Sequence, residues 1–210
     1  MHRIFIQLIV PGSILIPIVL AIIKHKYWGR PEKAVFLFMV ISCTGNILSS
    51  IMARNHINNL PALHIYTILE FISIATFFYA ISNDAAEKLA IRTSADIVIL
   101  VSIVNIMYLT SIYKYNLVPR SVAAIFILVF CIRYMMRNLS FNATHVPFFP
   151  FATVVAFLLY FSGSLTLFAL SDYVILNKKV SSLIWDTHAT FVLIMYLIIA
   201  VGYYKTGPEK

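Results

Sequence analysis

The sequence predicts an all-α, polytopic membrane protein with seven transmembrane helices, on three observations. Of its 210 residues 61% are hydrophobic and only 11% charged, too little polar surface to cover the core of a soluble domain of this size. Apolar runs recur seven times along the chain, each close to the about 20 residues that a spanning helix needs. The gaps between them are short, which leaves one seven-helix membrane domain over residues 1–210 and no room for a separate soluble domain.

The runs fall at about 4–23, 34–53, 61–81, 93–110, 119–137, 151–170 and 182–204. The first follows a single basic residue, is longer than a signal h-region and lacks a small-x-small cleavage site, so it reads as an uncleaved first helix. Each gap carries turn and charge residues: KHKYWGRPEK from Lys24 to Lys33, RNHINNL from Arg54 to Leu60, and SNDAAEKLAIR from Ser82 to Arg92. SIYKYNLV (Ser111 to Val118), the Asn138 to Pro150 stretch and SDYVILNKKV (Ser171 to Val180) follow. Arg92 and Asp96 blur the start of the fourth run.

The formal charge of +8 comes from Lys and Arg scattered singly or in pairs between apolar runs. That distribution reads as a topology signal and not as a nucleic-acid surface. Counting on alternate sides with the N-terminus outside puts ten basic residues inside and six outside (Arg3, Arg54, Lys114, Arg120, Lys178 and Lys179). The bias predicts N-out, C-in, and places the Asn138 and Asn142 sequons inside, away from glycosylation. Cys43 and Cys131 both lie in apolar segments and read as free buried thiols.

A faint repeat accompanies the seven runs. VPGS (Val10 to Ser13) in the first run matches VPRS (Val118 to Ser121) before the fifth, and SCTGN (Ser42 to Asn46) in the second has its counterpart in FSGS (Phe161 to Ser164) in the sixth. Three helices, a linker helix and three more would form two parallel repeats, as in sugar-transporting SWEET proteins.

Polar groups inside a span are costly and each counts as a candidate site residue. With alternating direction, His64, Tyr66 and Thr67 fall near the outer end of the third span and Glu70 close to its centre, Arg120 and Ser121 at the outer end of the fifth, and Trp185, Asp186 and His188 in the outer part of the seventh. Asn46, Ser162, Ser164 and Thr166 reach the same middle-to-outer depth. Tyr66 and Glu70 are four residues apart and share a helix face, as do Trp185, His188, Val192 and Tyr196, whereas Asp186 lies about 200° from His188. These depths predict one outward-opening pocket containing Glu70, His64, Tyr66, His188, Arg120, Trp185 and Asn46, with Glu70 hydrogen-bonded or paired to Arg120, His188 or Tyr66. No nucleophile elbow, P-loop or dinucleotide fingerprint is present in the sequence. A retinal Schiff base has no lysine inside the seventh span to form on, and no cofactor or metal is expected.

INNLPALHIYTILEF, YFSGSLTLF and IWDTHATFVLIMYLIIAVGYYK, with VPRS before the fifth span, resemble a family of uncharacterised seven-transmembrane inner-membrane proteins of Bacteroidetes-type bacteria. The HxYxxxE and IWxxH runs carry the resemblance, which covers nearly the whole chain. It implies a bacterial inner membrane and one seven-helix unit, and implies no activity.

Three readings follow. The first is a ligand-sensing or signalling protein, in contact with membrane lipid, taking an unknown small-molecule ligand and passing the signal to a membrane or cytoplasmic partner. The second is a small-solute transporter of three-plus-one-plus-three type with Glu70 as a proton-coupling carboxylate. The third is an intramembrane metal-dependent hydrolase with His64, Glu70 and His188 as ligands, resembling seven-span ceramidase-like enzymes in logic but with one histidine on the last helix where those have several.

Overall fold

The computed structural model describes residues 5–138, 146–169 and 178–207, and every element among them is helical. Six helices are long and apolar enough to span a membrane, and a shorter apolar one precedes them: α1 (Val10–Ile23), α2 (Arg30–Arg54), α3 (Leu60–Ile81), α4 (Ala85–Leu109), α5 (Leu117–Asn138), α6 (Phe148–Ala169) and α7 (Lys178–Lys205). The protein is therefore a multipass all-α membrane protein. Arg3, Asn142 and the side chains of Thr166, Lys178 and Lys179 lie outside what the structure describes.

Helix starts come earlier than hydropathy alone places them, because polar caps extend helices past the apolar run. Asp84 accepts a hydrogen bond from the Ala86 amide at 2.9 Å, with Glu87 three residues on, so α4 begins at Ala85 and the fourth run gains about two turns at its start. At α2 the Glu32 carboxylate accepts from the Gly29 amide at 2.9 Å, and Pro31 occupies the first turn, where its missing N–H costs nothing.

The first run departs from a single helix. A π-helical turn covers Phe5–Ile9, Val10–Ser13 is separated from Leu15–Ile23 at Ile14, and the Ser13 hydroxyl donates to the Val10 carbonyl at 2.6 Å. Pro17 supplies no amide to the Ser13 carbonyl, which weakens the helix at that step. Val10–Ile23 spans about 21 Å at 1.5 Å per residue, short of the about 30 Å hydrocarbon thickness.

The helices close into a ring in the order α1, α2, α3, α5, α6, α7, with α7 returning to α1 and α4 packed outside against α3 and α5. Exchanging α1 with α5, α2 with α6 and α3 with α7 turns the neighbours α1–α2, α2–α3 and α7–α1 into α5–α6, α6–α7 and α3–α5, all of which are in contact, with α4 as the unmatched linker. The two glycines of the repeated motifs play matching parts. A Cβ on Gly45 of α2 would stand 2.9 Å from the Tyr66 ring on α3, and one on Gly163 of α6 would stand 2.5 Å from the Phe191 ring on α7. Each glycine lets an aromatic ring of the next helix lie against backbone, the close approach that small residues permit in membranes.

At mid-depth the ring is filled by phenylalanine. Phe157 of α6 meets Phe38 of α2 edge-on at 5.3 Å and Phe77 of α3 at 5.8 Å, and Phe78 packs on Phe130 of α5 at 5.5 Å. Such edge-to-face pairs add to the area they bury. Toward the predicted inner end a polar cluster joins α4 to α5: buried Glu87 accepts from Ser82 and from Arg137 Nη1, the latter at 2.6 Å, with Arg133 Nε at 3.6 Å. Arg133 and Arg137, counted in the sequence as topology signals, thus also tie two helices together.

Candidate functional site

A cavity of about 530 Å³ lies in the half of the bundle toward the α2–α3 connection, the predicted outer end. Its walls come from α1, α2, α3 and α7, with one residue each from α5 and α6, Arg120 and Tyr160. The short, interrupted α1 contributes Val10 and Pro11, so the break near Ile14 lies next to the cavity.

The polar end is built around Glu70. Its side chain is 4% exposed, and Oε1 accepts a hydrogen bond from the Tyr66 hydroxyl at 2.9 Å. Their four-residue spacing sets both on one face of α3. The same hydroxyl lies 3.2 Å from Ser42 Oγ on α2, so Tyr66 links two helices to the carboxylate while its ring rests on Gly45. Across the cavity Arg120 interacts electrostatically with Glu70 and donates from Nη2 to the Tyr160 hydroxyl at 3.5 Å. A carboxylate and a guanidinium in the low-dielectric interior are tolerable only near one another and in contact with hydrogen-bonding groups.

Helix α7 supplies the third wall through Trp185, His188, Val192 and Tyr196. The His188 ring is 5.5 Å from that of Tyr160 and 6.1 Å from that of Trp185, and its Nδ1 is 3.2 Å from Ser164 Oγ. Asp186 does not join this wall, as the 200° offset requires.

Of the seven expected site residues, Glu70, Tyr66, His188, Arg120, Trp185 and Asn46 all line the cavity. His64 corrects the expectation. It is 3% exposed, is not on the cavity wall, and places Nε2 3.1 Å from the Lys114 carbonyl in the α4–α5 connection. It lies two positions before Tyr66, about 200° around the helix, so the two side chains face opposite ways. There it joins a second contact, in which Asn116 donates to the Thr67 hydroxyl at 2.7 Å. With His64 turned away, the trio required for a metal-dependent hydrolase is not assembled, and no cluster of three His, Cys, Asp or Glu side chains occurs among the described residues.

The sequence reading did not single out Tyr160 or Ser42 as site residues. Both sit three residues before a glycine of the repeated motifs, and that common spacing was the available signal.

At the opposite end a wider vestibule of about 1560 Å³ opens among Trp28, Glu32, Asp84, Tyr134, Arg137 and Lys205. On α3 the residues Phe77 and Phe78 fall between Glu70 and the vestibule residue Ile81; on α6 Phe157 falls between Tyr160 and Pro150. The phenylalanine layer thus separates the two spaces. No protein-family model, curated protein or solved structure matches the chain.

Proposed function

We propose that this is a ligand-sensing membrane protein of the bacterial inner membrane, with its pocket open to the outer side, belonging to the seven-transmembrane Bacteroidetes-type family that its HxYxxxE and IWxxH runs resemble. The observation that carries the reading is the cavity around Glu70 and Arg120, which is backed by the phenylalanine layer. A molecule reaching Glu70 from the outer end meets that layer, so occupancy rather than passage is what the site is built to register. The hydrogen bonds from α3 to α2 and the contacts among α5, α6 and α7 converge there, which gives an occupant direct purchase on five helices. A signalling partner in the membrane or cytoplasm would read their rearrangement.

A thermal-shift screen of purified protein against lipids, amines and divalent metals tests the reading. A ligand of the folded state stabilises by mass action, about 2.7 kcal/mol at one hundred times its dissociation constant. Glu70→Ala is expected to fold and to lose that shift. A wild type that none of these compounds stabilises, with a Glu70→Ala variant that only melts earlier, would reduce the polar cluster to a packing clamp.

The vestibule behind the phenylalanine layer favours a second reading, a small-solute carrier in which the layer is a gate and the vestibule the exit. Uptake by proteoliposomes that depends on Glu70 would select it over sensing.

A further inference from the structure

We propose that the occupant of the cavity is an amphiphile of the surrounding bilayer, a lipid with a net-neutral, hydrogen-bonding head, which enters sideways between α2 and α3 with its chain left in the groove between them. This inference rests on the ligand-binding reading of the cavity and names the class of its ligand.

The first argument is the shape of the wall. Val40, Thr44 and Leu48 recur at four-residue intervals along α2, and Ile65 and Leu69 do the same on α3. All five line the cavity, yet Val40 is 39%, Leu48 46%, Ile65 63% and Leu69 44% exposed. In a spanning helix such exposure is to acyl chains. The cavity wall therefore reaches from buried Glu70 to side chains that touch lipid. Tyr66 stands between the two regions, its ring on Gly45 and its hydroxyl on Ser42 and Glu70.

The second argument is the charge at the polar end. Glu70 and Arg120 are the formal charges among the lining residues, and they sum to zero. A singly charged head would bring an uncompensated charge into a low-dielectric site, at the cost of its hydration. A neutral or zwitterionic head would not, and the hydroxyls of Tyr66, Tyr160 and Tyr196 with the Asn46 amide provide donors and acceptors for it. A water-soluble solute would use this end and gain nothing from the apolar groove. A chain-bearing molecule uses both, and the cavity volume lies in the ordinary range for small-molecule sites.

The test uses purified full-length protein in amphipol, with binding read by displacement of a fluorescent single-chain lipid. Probes are palmitoylglycerol and palmitoyl-lysophosphatidylcholine (net-neutral), palmitate and hexadecylamine (charged), and the chain-free heads glycerol and glycerophosphocholine. One or both net-neutral chain probes are expected to bind more tightly than either charged one, and the chain-free heads to bind at least about a hundredfold more weakly. Leu48→Trp and Ile65→Trp, on the lipid-facing side where a larger side chain leaves the fold intact, should each weaken chain probes about tenfold. Glu70→Gln should weaken the net-neutral probes while leaving palmitate unaffected or tighter.

Chain probes that bind equally to both tryptophan variants, or charged chain probes that bind best, would overturn the lipid assignment. A chain-free head that binds as tightly as its chain form would overturn it too while leaving the ligand-binding reading standing. A wild type that binds no probe and is stabilised by nothing in the wider thermal-shift screen would overturn both.

Discussion

Replacing Arg120 by Met is expected to destabilise the protein by about 3 kcal/mol, the size of effect seen when one partner of a buried charge pair is removed. Glu70 stays behind, 4% exposed, with the Tyr66 hydroxyl at 2.9 Å but without the guanidinium across the cavity. A loss of that size corresponds to a fall in melting temperature of about 6–12 °C for a chain of this length. The double variant Arg120→Met, Glu70→Gln removes both charges and should recover more than half of the loss, because the penalty lies in the stranded carboxylate rather than in the missing attraction. Melting curves of the four proteins in one detergent measure this directly. A single variant as stable as the wild type would mean that Arg120 is not the counter-charge of Glu70.

Gly163→Leu is expected to cost less, up to about 2 kcal/mol net, through sterics alone. A Cβ at this position would lie 2.5 Å from Cδ2 and 2.6 Å from Cε2 of Phe191, so α6 and α7 must separate or the ring must leave its place. Overpacking of this kind costs about 1–3 kcal/mol and outweighs the about 1 kcal/mol that a helix gains by losing a glycine. At Gly45 the corresponding clash is with Tyr66, at 2.9 Å, and the same substitution would shift the phenol that holds Glu70. Gly163→Leu should therefore lower the melting temperature and spare the Glu70 end, whereas Gly45→Leu should disturb both. Binding of a cavity ligand together with melting separates the two; equal stability of Gly163→Leu and wild type would contradict the close α6–α7 approach.

Hydropathy made the helices legible because a spanning run must be as long as the membrane is thick: six runs correspond to helices of spanning length, and the first to a shorter, interrupted one. What it missed lies where other forces act. The start of α4 depends on Asp84 and Glu87, a polar cap at the helix N-terminus that hydropathy counts against a helix. The break at Ile14 depends on Pro17 and the Ser13 hydroxyl, which leave an apolar run unchanged. For the site, depth and helical spacing brought Glu70, Tyr66, Arg120 and His188 together, since polar groups at one level of an apolar bundle have few places to go. Depth alone also drew in His64, where the 200° offset from Tyr66 was the deciding quantity. The phenylalanine layer carries no contrast against its neighbours in the sequence. Only the packing of α2, α3, α5 and α6 makes it a partition.

The central claim, a water-accessible pocket on the outer side, is tested most directly by a single cysteine at position 46. Asn46 is exposed and lines the cavity, and Cys43→Ala removes the nearer native thiol while Cys131 is buried. In right-side-out membranes Asn46→Cys should react with a membrane-impermeant thiol reagent added outside, and a bound cavity ligand should slow that reaction. A cysteine there that is unreactive from outside, or reactive only in inverted vesicles, would contradict the outward-facing pocket.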